Sequence, residues 1–175
     1  GAFLTSEELS TLRFALTAVG NTVGFFTSRS VEQYPRLRAR SERVCVFPDI
    51  IRRINQLLDD EGNIRDSASH ELLSIRRAIR EHEGQVSKRL QQVLNNAKRA
   101  GIVDPDAMIS IREGRAVIPV SAGNKRKLNG FIHDESATGK TFYVEPGEVV
   151  ELNNALKELE YAERRQIVRL LTELT

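Results

Sequence analysis

Two long apolar seams bracket a stretch of different pattern, and this alternation constrains the fold more than any other feature of the chain. The first seam passes through Leu72, Ile75, Ile79, Val86, Leu90, Val93 and Ala97. The second passes through Val150, Leu152, Leu156, Leu159, Ile167, Leu170 and Leu174. Apolar residues recurring every three or four positions line one face of a helix. A face this narrow suits antiparallel coiled-coil packing better than burial on all sides. The first helix is expected from His70 to about Arg99, a rod of roughly 45 Å at about 1.5 Å per residue. Asp66-Ser67-Ala68-Ser69 supplies candidate N-caps before it, and Ala100-Gly101 ends it. Gly84 marks a bend or a close approach within it. The second helix starts after Pro146-Gly147 and runs to the end of the chain without a cap signal, the pattern of a segment that continues in a longer protein.

Residues 106–145, between the seams, read as strands and turns. Arg112-Glu113-Gly114-Arg115 is a hairpin turn. Ala116–Val120, Leu128–His133 and Thr141–Val144 read as strands, with Pro119 limiting the first to an edge or a bulge. Gly123–Lys127 forms a second turn. The expected fold is mainly α, a long antiparallel helical arm with a small antiparallel β module at its tip. Residues 1–64 are expected to form a helical core segment, and residues 65–175 the arm pair that carries the module.

The first part of the chain reads as shorter helices. Thr5 and Glu8 match a capping box ahead of Leu9, Leu12, Leu16 and Val19, which predicts a helix over Ser6 to Ser28. Leu37 lies in a short basic helical stretch after Pro35. Pro48 suits the first turn of a helix whose apolar face is Ile50, Ile51, Ile54, Leu57 and Leu58. Asp59-Asp60-Glu61-Gly62-Asn63 is turn chemistry.

Composition narrows the classes. Tryptophan is absent and 6% of the residues are aromatic, which argues against one large compact core. No apolar run approaches the roughly 18 residues needed to span a bilayer, so a membrane is not an expected partner; a cytoplasmic, reducing location is the expectation that a single cysteine fits. The single cysteine, Cys45, has no internal disulfide partner and reads as a small buried side chain in Val44-Cys45-Val46-Phe47. A net charge of +2 is too small to imply nucleic acid, so any such argument rests on where the cations cluster.

Three motifs invite chemistry. Gly139-Lys140-Thr141 resembles the end of a phosphate-binding loop, but Asp134 stands where the leading glycine belongs, and a strand pattern comes next where a helix is required. A hairpin loop is the better reading; the enzymatic one predicts nucleotide turnover dependent on Lys140. His133, Asp134 and Ser136 are too close in sequence to point into one triad. His70 and His82 have no ligand partners at metal spacing, and His82 reads as a packing or hydrogen-bonding residue. The cations are more informative. Lys125-Arg126-Lys127 occupies a turn, Arg112 and Arg115 flank another, and Lys140 lies in a third loop. Brought together, these six make a phosphate-binding patch; left apart, they are solvated charges that keep turns soluble. Asp134 and Glu135 weaken the local field.

Longer stretches carry a family resemblance. Ile109 to Arg115, Val117 to Val120, Gly130 to Thr141, and Val144-Glu145-Pro146 through Glu151-Leu152-Asn153-Asn154 resemble the clamp of the MutS family, in its second bacterial branch, MutS-two. Asp66 to Leu72 with Ile75-Arg76 resembles that branch's core. The likeness is strong from Arg65 to Glu160 and loose before Phe47. It implies helices carrying a clamp that closes on a nucleic-acid duplex, in a protein whose two subunits set their clamps opposite each other. It also implies ATP and Mg bound in a separate ATPase domain and a small nuclease domain, neither within this stretch, which is then non-catalytic and holds no cofactor or metal. The branch is associated with suppressing recombination through branched DNA and with rescuing stalled ribosomes, so the expected partner is DNA or ribosomal RNA. The alternative is a protein-interaction or dimerisation arm contacting a ribosomal protein or a partner subunit.

Overall fold

A computed structural model describes residues 3–28 and 33–174. Its elements are helices α1 (Ser6–Ser28), α2 (Pro35–Ser41), α3 (Pro48–Leu57), α4 (His70–Arg99) and α5 (Val150–Leu174), and strands β1 (Ser110–Arg112), β2 (Arg115–Ser121), β3 (Gly130–Glu135) and β4 (Thr141–Pro146). The protein is mainly α with one small antiparallel sheet, as the patterning implied. It divides into two compact units, Gly1–Ser74 with Arg164–Thr175, and Ile75–Glu163. Each has its own apolar cluster, in line with the scarcity of aromatic residues.

In the first unit Leu9, Ile54, Leu57, Leu58 and Leu171 form the buried cluster. The capping box is present: the Thr5 N–H donates to Glu8 Oε2 at 2.8 Å and the Glu8 N–H donates to Thr5 Oγ1 at 3.2 Å. Burial of the α1 seam stops at its first turns, since Leu9 is buried and Val19 and Phe25 are exposed. Pro48 opens α3, and Ile54 and Leu57 on its apolar face are buried while Ile50 is exposed. The acidic turn is tied down by Arg13, whose guanidinium donates to the Asp59 carbonyl at 2.8 Å. Ser69 provides the cap of α4, its hydroxyl accepting from the Leu72 N–H at 3.0 Å. Cys45 departs from expectation: it is exposed, and so are Val44, Val46 and Phe47. That stretch lies between α2 and α3 and joins neither an element nor an apolar cluster, so its apolar composition does not bury it.

In the second unit α4 and α5 run antiparallel, shown by the Arg76–Glu163 ion pair at 2.7 Å and by Leu90 clustering with Val149. The α4 seam is half-buried at Ile75 and Ile79 and closes at Val86, Leu90, Val93, Leu94 and Ala97. Leu94 lies outside the narrow seam and is buried because the sheet adds a second packing surface there. Gly84 has open space around it, so no close approach accounts for it.

The sheet order is β1-β2-β4-β3, antiparallel throughout. Alternation sends Ala116, Ile118 and Val120 of β2, with Val144 of β4, into the cluster on α4. Pro119 is tolerated inside β2 because β1 pairs only as far as Val117, so the strand is one-sided at the proline. Glu113 and Gly114, at φ 50 and 71, make the two-residue hairpin turn whose twist matches the flanking strands.

Candidate nucleic-acid interface

The six candidate cations fall into groups set by the strand order. Arg115 opens β2 and Ser121 ends it, a backbone separation of about 20 Å for an extended strand. At the far end the chain turns through Ala122–Asn124 into Lys125, Arg126 and Lys127. The Ala122 N–H donates to the Lys140 carbonyl at 2.9 Å, and Ser121 pairs with Thr141. The basic turn and the Lys140 loop therefore share one end of the sheet. Arg126, Lys127 and Lys140 are exposed there. Lys125 is half-buried, its ammonium 4.1 Å from the centre of the Phe142 ring, a cation–π contact that holds the start of the turn.

Arg112 and Arg115 are differently placed. Arg112 reaches across the sheet face, 3.9 Å above the Tyr143 ring, and its Nε lies 3.0 Å from Asp134 Oδ2. Arg115 joins a buried network. Its Nη1 lies 2.8 Å from Glu145 Oε1, and its Nη2 donates to Asn154 Oδ1 at 2.7 Å. Glu145 is 1% exposed. His133 Nε2 approaches its other oxygen at 2.5 Å, and Asn153 Nδ2 donates to Oε1 at 2.6 Å. A carboxylate this deep needs several partners to offset lost hydration, and it has two from the sheet and one from α5. The acidic and amide residues of Val144-Glu145-Pro146 and Asn153-Asn154 thus fasten the sheet to the first turns of α5.

This geometry also accounts for the tempting motifs. The Gly139 N–H donates to the Ser136 carbonyl at 2.7 Å, with Gly139 at φ 66, so Gly139-Lys140-Thr141 closes a hairpin and enters β4. His133 sits at the bulge of β3 and turns to Glu145, away from Ser136, whose hydroxyl accepts from the Thr141 N–H at 3.1 Å. His82 Nδ1 lies 3.0 Å from the Ala78 carbonyl, a local helical contact. Among the described residues no group of His, Cys, Asp and Glu is placed to hold a metal, and no helix is long and apolar enough to cross a membrane. Neither Glu145 nor Asn153 carries a local mark of burial in the sequence, where a carboxylate beside Pro-Gly has the pattern of a solvated turn.

No family model matches the chain. Curated relatives match over its whole length. It is 36% identical to Endonuclease MutS2 of Geobacillus sp. (strain WCH70), 37% to Endonuclease MutS2 of Pelotomaculum thermopropionicum, and 38% to Endonuclease MutS2 of Halalkalibacterium halodurans. In each case it spans 22% of the relative's length. Identity at this level along the whole chain, combined with a small antiparallel sheet set between two long helices, leads to one assignment: the chain belongs to the MutS2 family and matches about a fifth of its relatives' length.

Proposed function

We propose that this segment is the core and clamp of a MutS2-type protein, that it is non-catalytic, and that it grips nucleic acid through phosphates. The observation that carries this reading is the gathering of Arg126, Lys127 and Lys140, exposed, at one end of the sheet. Among the described residues none of the three has an ion-pair partner, whereas Arg112 faces Asp134 and Arg115 faces Glu145. Cations without a protein counter-charge are the ones that gain most from phosphate, because binding releases condensed counterions and forfeits no internal pair. The contact is a backbone grip that does not read bases. ATP and Mg belong, on this reading, to parts of the longer protein outside this segment, which moves the clamp through its helices in a cytoplasmic homodimer. The target is branched DNA, in suppression of recombination, or ribosomal RNA, in ribosome rescue.

The test is binding of the chain to duplex DNA, a four-way DNA junction and a structured RNA across a salt series. The expected result is affinity that falls with salt and drops further when Lys125, Arg126 and Lys127 are changed to Glu. The preferred ligand of the three then names the target. Binding with no salt dependence, or unaffected by the charge reversal, overturns the proposal.

A further inference from the structure

α2 carries a charge pattern that the grip proposed at the sheet does not use. Between Gln33 and Pro48 the chain holds four arginines against one glutamate, a net +3 where the whole chain is +2. Arg36, Arg40 and Arg43 follow at spacings of four and three, which sets them on one side of a helix. The backbone is still helical at Glu42, with φ −61 and ψ −18, and the Arg43 N–H donates to the Arg40 carbonyl at 3.2 Å, so Arg43 keeps that side. The opposite side packs, with Ser41 buried and Arg38 half-buried. Glu42 is committed to Arg38 at 3.2 Å. Among the described residues Arg36, Arg40 and Arg43 are exposed, and none of the three has an ion-pair partner.

Like charges at these spacings lower the stability of the helix that carries them, and α2 has only seven residues, too few to be stable by propensity. A stripe that weakens its own helix is arranged for a counter-charge from outside. All of its cations are arginine, whose guanidinium takes a phosphate in a two-pronged contact that lysine does not make. The stripe spans about 10 Å at about 1.5 Å per residue. A closely and regularly spaced run of anions matches it, and a phosphodiester backbone is such a run. Aromatic surface lies at both ends. Tyr34, before Arg36, is 39% exposed and braced by the Phe26 ring at 5.8 Å. Phe47, beyond Arg43, is 47% exposed, and Val44 and Val46 are exposed with it. A duplex hides the faces of its bases, whereas an unpaired strand offers them for stacking. An acidic peptide hangs its carboxylates on side chains and brings no such faces to the rings.

We propose that the α2 stripe is a second nucleic-acid site, one that takes an unpaired strand. Arg36, Arg40 and Arg43 hold its phosphates, and Tyr34 and Phe47 stack on bases at either end. The site lies in the other compact unit from Arg126, Lys127 and Lys140 and does not rest on the grip proposed for them. The two differ in what they recognise. The grip at the sheet takes phosphates, whereas the α2 surface adds rings and so favours a strand whose bases are free.

The test is fluorescence anisotropy of the chain with oligothymidine, oligouridine, an abasic strand and a duplex of equal length, across a salt series. Changing Arg36, Arg40 and Arg43 together to Gln lowers affinity for the base-bearing single strands about tenfold. It also reduces their salt slope by about 2, at about 0.7 per phosphate. Duplex affinity changes by less than about twofold. Changing the same three to Lys keeps the slope. Tyr34→Leu and Phe47→Leu, which preserve apolar bulk, each weaken the base-bearing strands about fivefold and leave the abasic strand unchanged. The stronger of oligothymidine and oligouridine names DNA or RNA. No binding of either, unchanged binding by the Gln variant, equal loss on duplex and single strand, or tighter binding of an oligoglutamate peptide overturns the proposal. Changing Lys125, Arg126 and Lys127 to Glu separates this site from the grip at the sheet. In that variant the dependence of single-strand binding on the three arginines persists, and its disappearance counts against α2. Circular dichroism of each variant confirms that these exposed substitutions leave the fold intact.

Discussion

Arg115 and Glu145, thirty positions apart in the chain, meet at 2.8 Å beneath the sheet, and Glu145 has two further partners in His133 and Asn153. The pair joins the first residue of β2 to the end of β4, and Asn153 extends the contact to α5. An arginine that reads as a phosphate ligand is thereby committed to holding the sheet.

Breaking that network is expected to destabilise the second unit. Glu145→Ala leaves Arg115 and His133 without their shared acceptor in a half-buried setting, and removing one partner of a buried pair costs about 3 kcal/mol. Denaturant unfolding followed by circular dichroism measures it. A loss well under about 1 kcal/mol would show that the network is not a structural joint.

On the proposed reading the cations divide into phosphate ligands and joints of the sheet. Lys127→Ala lowers the salt slope on duplex DNA by about 0.9. Arg115→Ala leaves the slope unchanged and lowers the unfolding midpoint. The reverse pattern would return Arg115 to the phosphate-binding group.

Gly130 is required by a close approach of strands. A Cβ there would stand 2.1 Å from the Glu145 carbonyl oxygen, and the obstacle is backbone that no rotamer change relieves. Gly130→Ala is expected to cost about 2 kcal/mol, in the range for overpacking, and to speed amide exchange along β3 before β2. Protection of β3 equal to that of the parent chain would contradict this.

The start of α1 is expected to loosen in acid. The Glu8 carboxyl sits below its ordinary value of 4.5, first because the Thr5 N–H donates to it and second because the Thr5 hydroxyl does. A value lowered by folding means that the stabilisation is present above the ordinary value and is lost as pH falls through the lowered one. Amide exchange in the first turn of α1, corrected for its intrinsic pH dependence, should therefore rise only below the ordinary carboxylate range. Thr5→Ala should raise it about fivefold at neutral pH, the effect of losing a cap, and should weaken the acid dependence without abolishing it, because the Thr5 N–H still donates to Glu8.

Much of this protein is legible in its sequence because much of it is local. A three-and-four spacing of apolar residues sets α4 and α5 within the chain's own turns, Thr5 and Glu8 start α1 across three positions, and Glu113-Gly114 closes its hairpin across two. These interactions need nothing from afar, so the residues alone determined the long helix spans, three of the four strands and the mainly α class, while β1 (Ser110–Arg112) was not read as a strand. Family membership was legible too, in the stretches around Gly130–Thr141 and Glu145–Asn154. Tertiary structure decided the rest. It placed β4 between β2 and β3, which leaves Phe131 and Ile132 on an open edge and sets Lys140 beside the Lys125–Lys127 turn. It buried Glu145 and Asn153, polar residues with no local mark of burial, and added Leu94 to the core by laying the sheet on α4. It also left Cys45 in the open. Each of these depends on partners dozens of positions away, and a charge or an apolar side chain takes its role from which neighbours remove it from water.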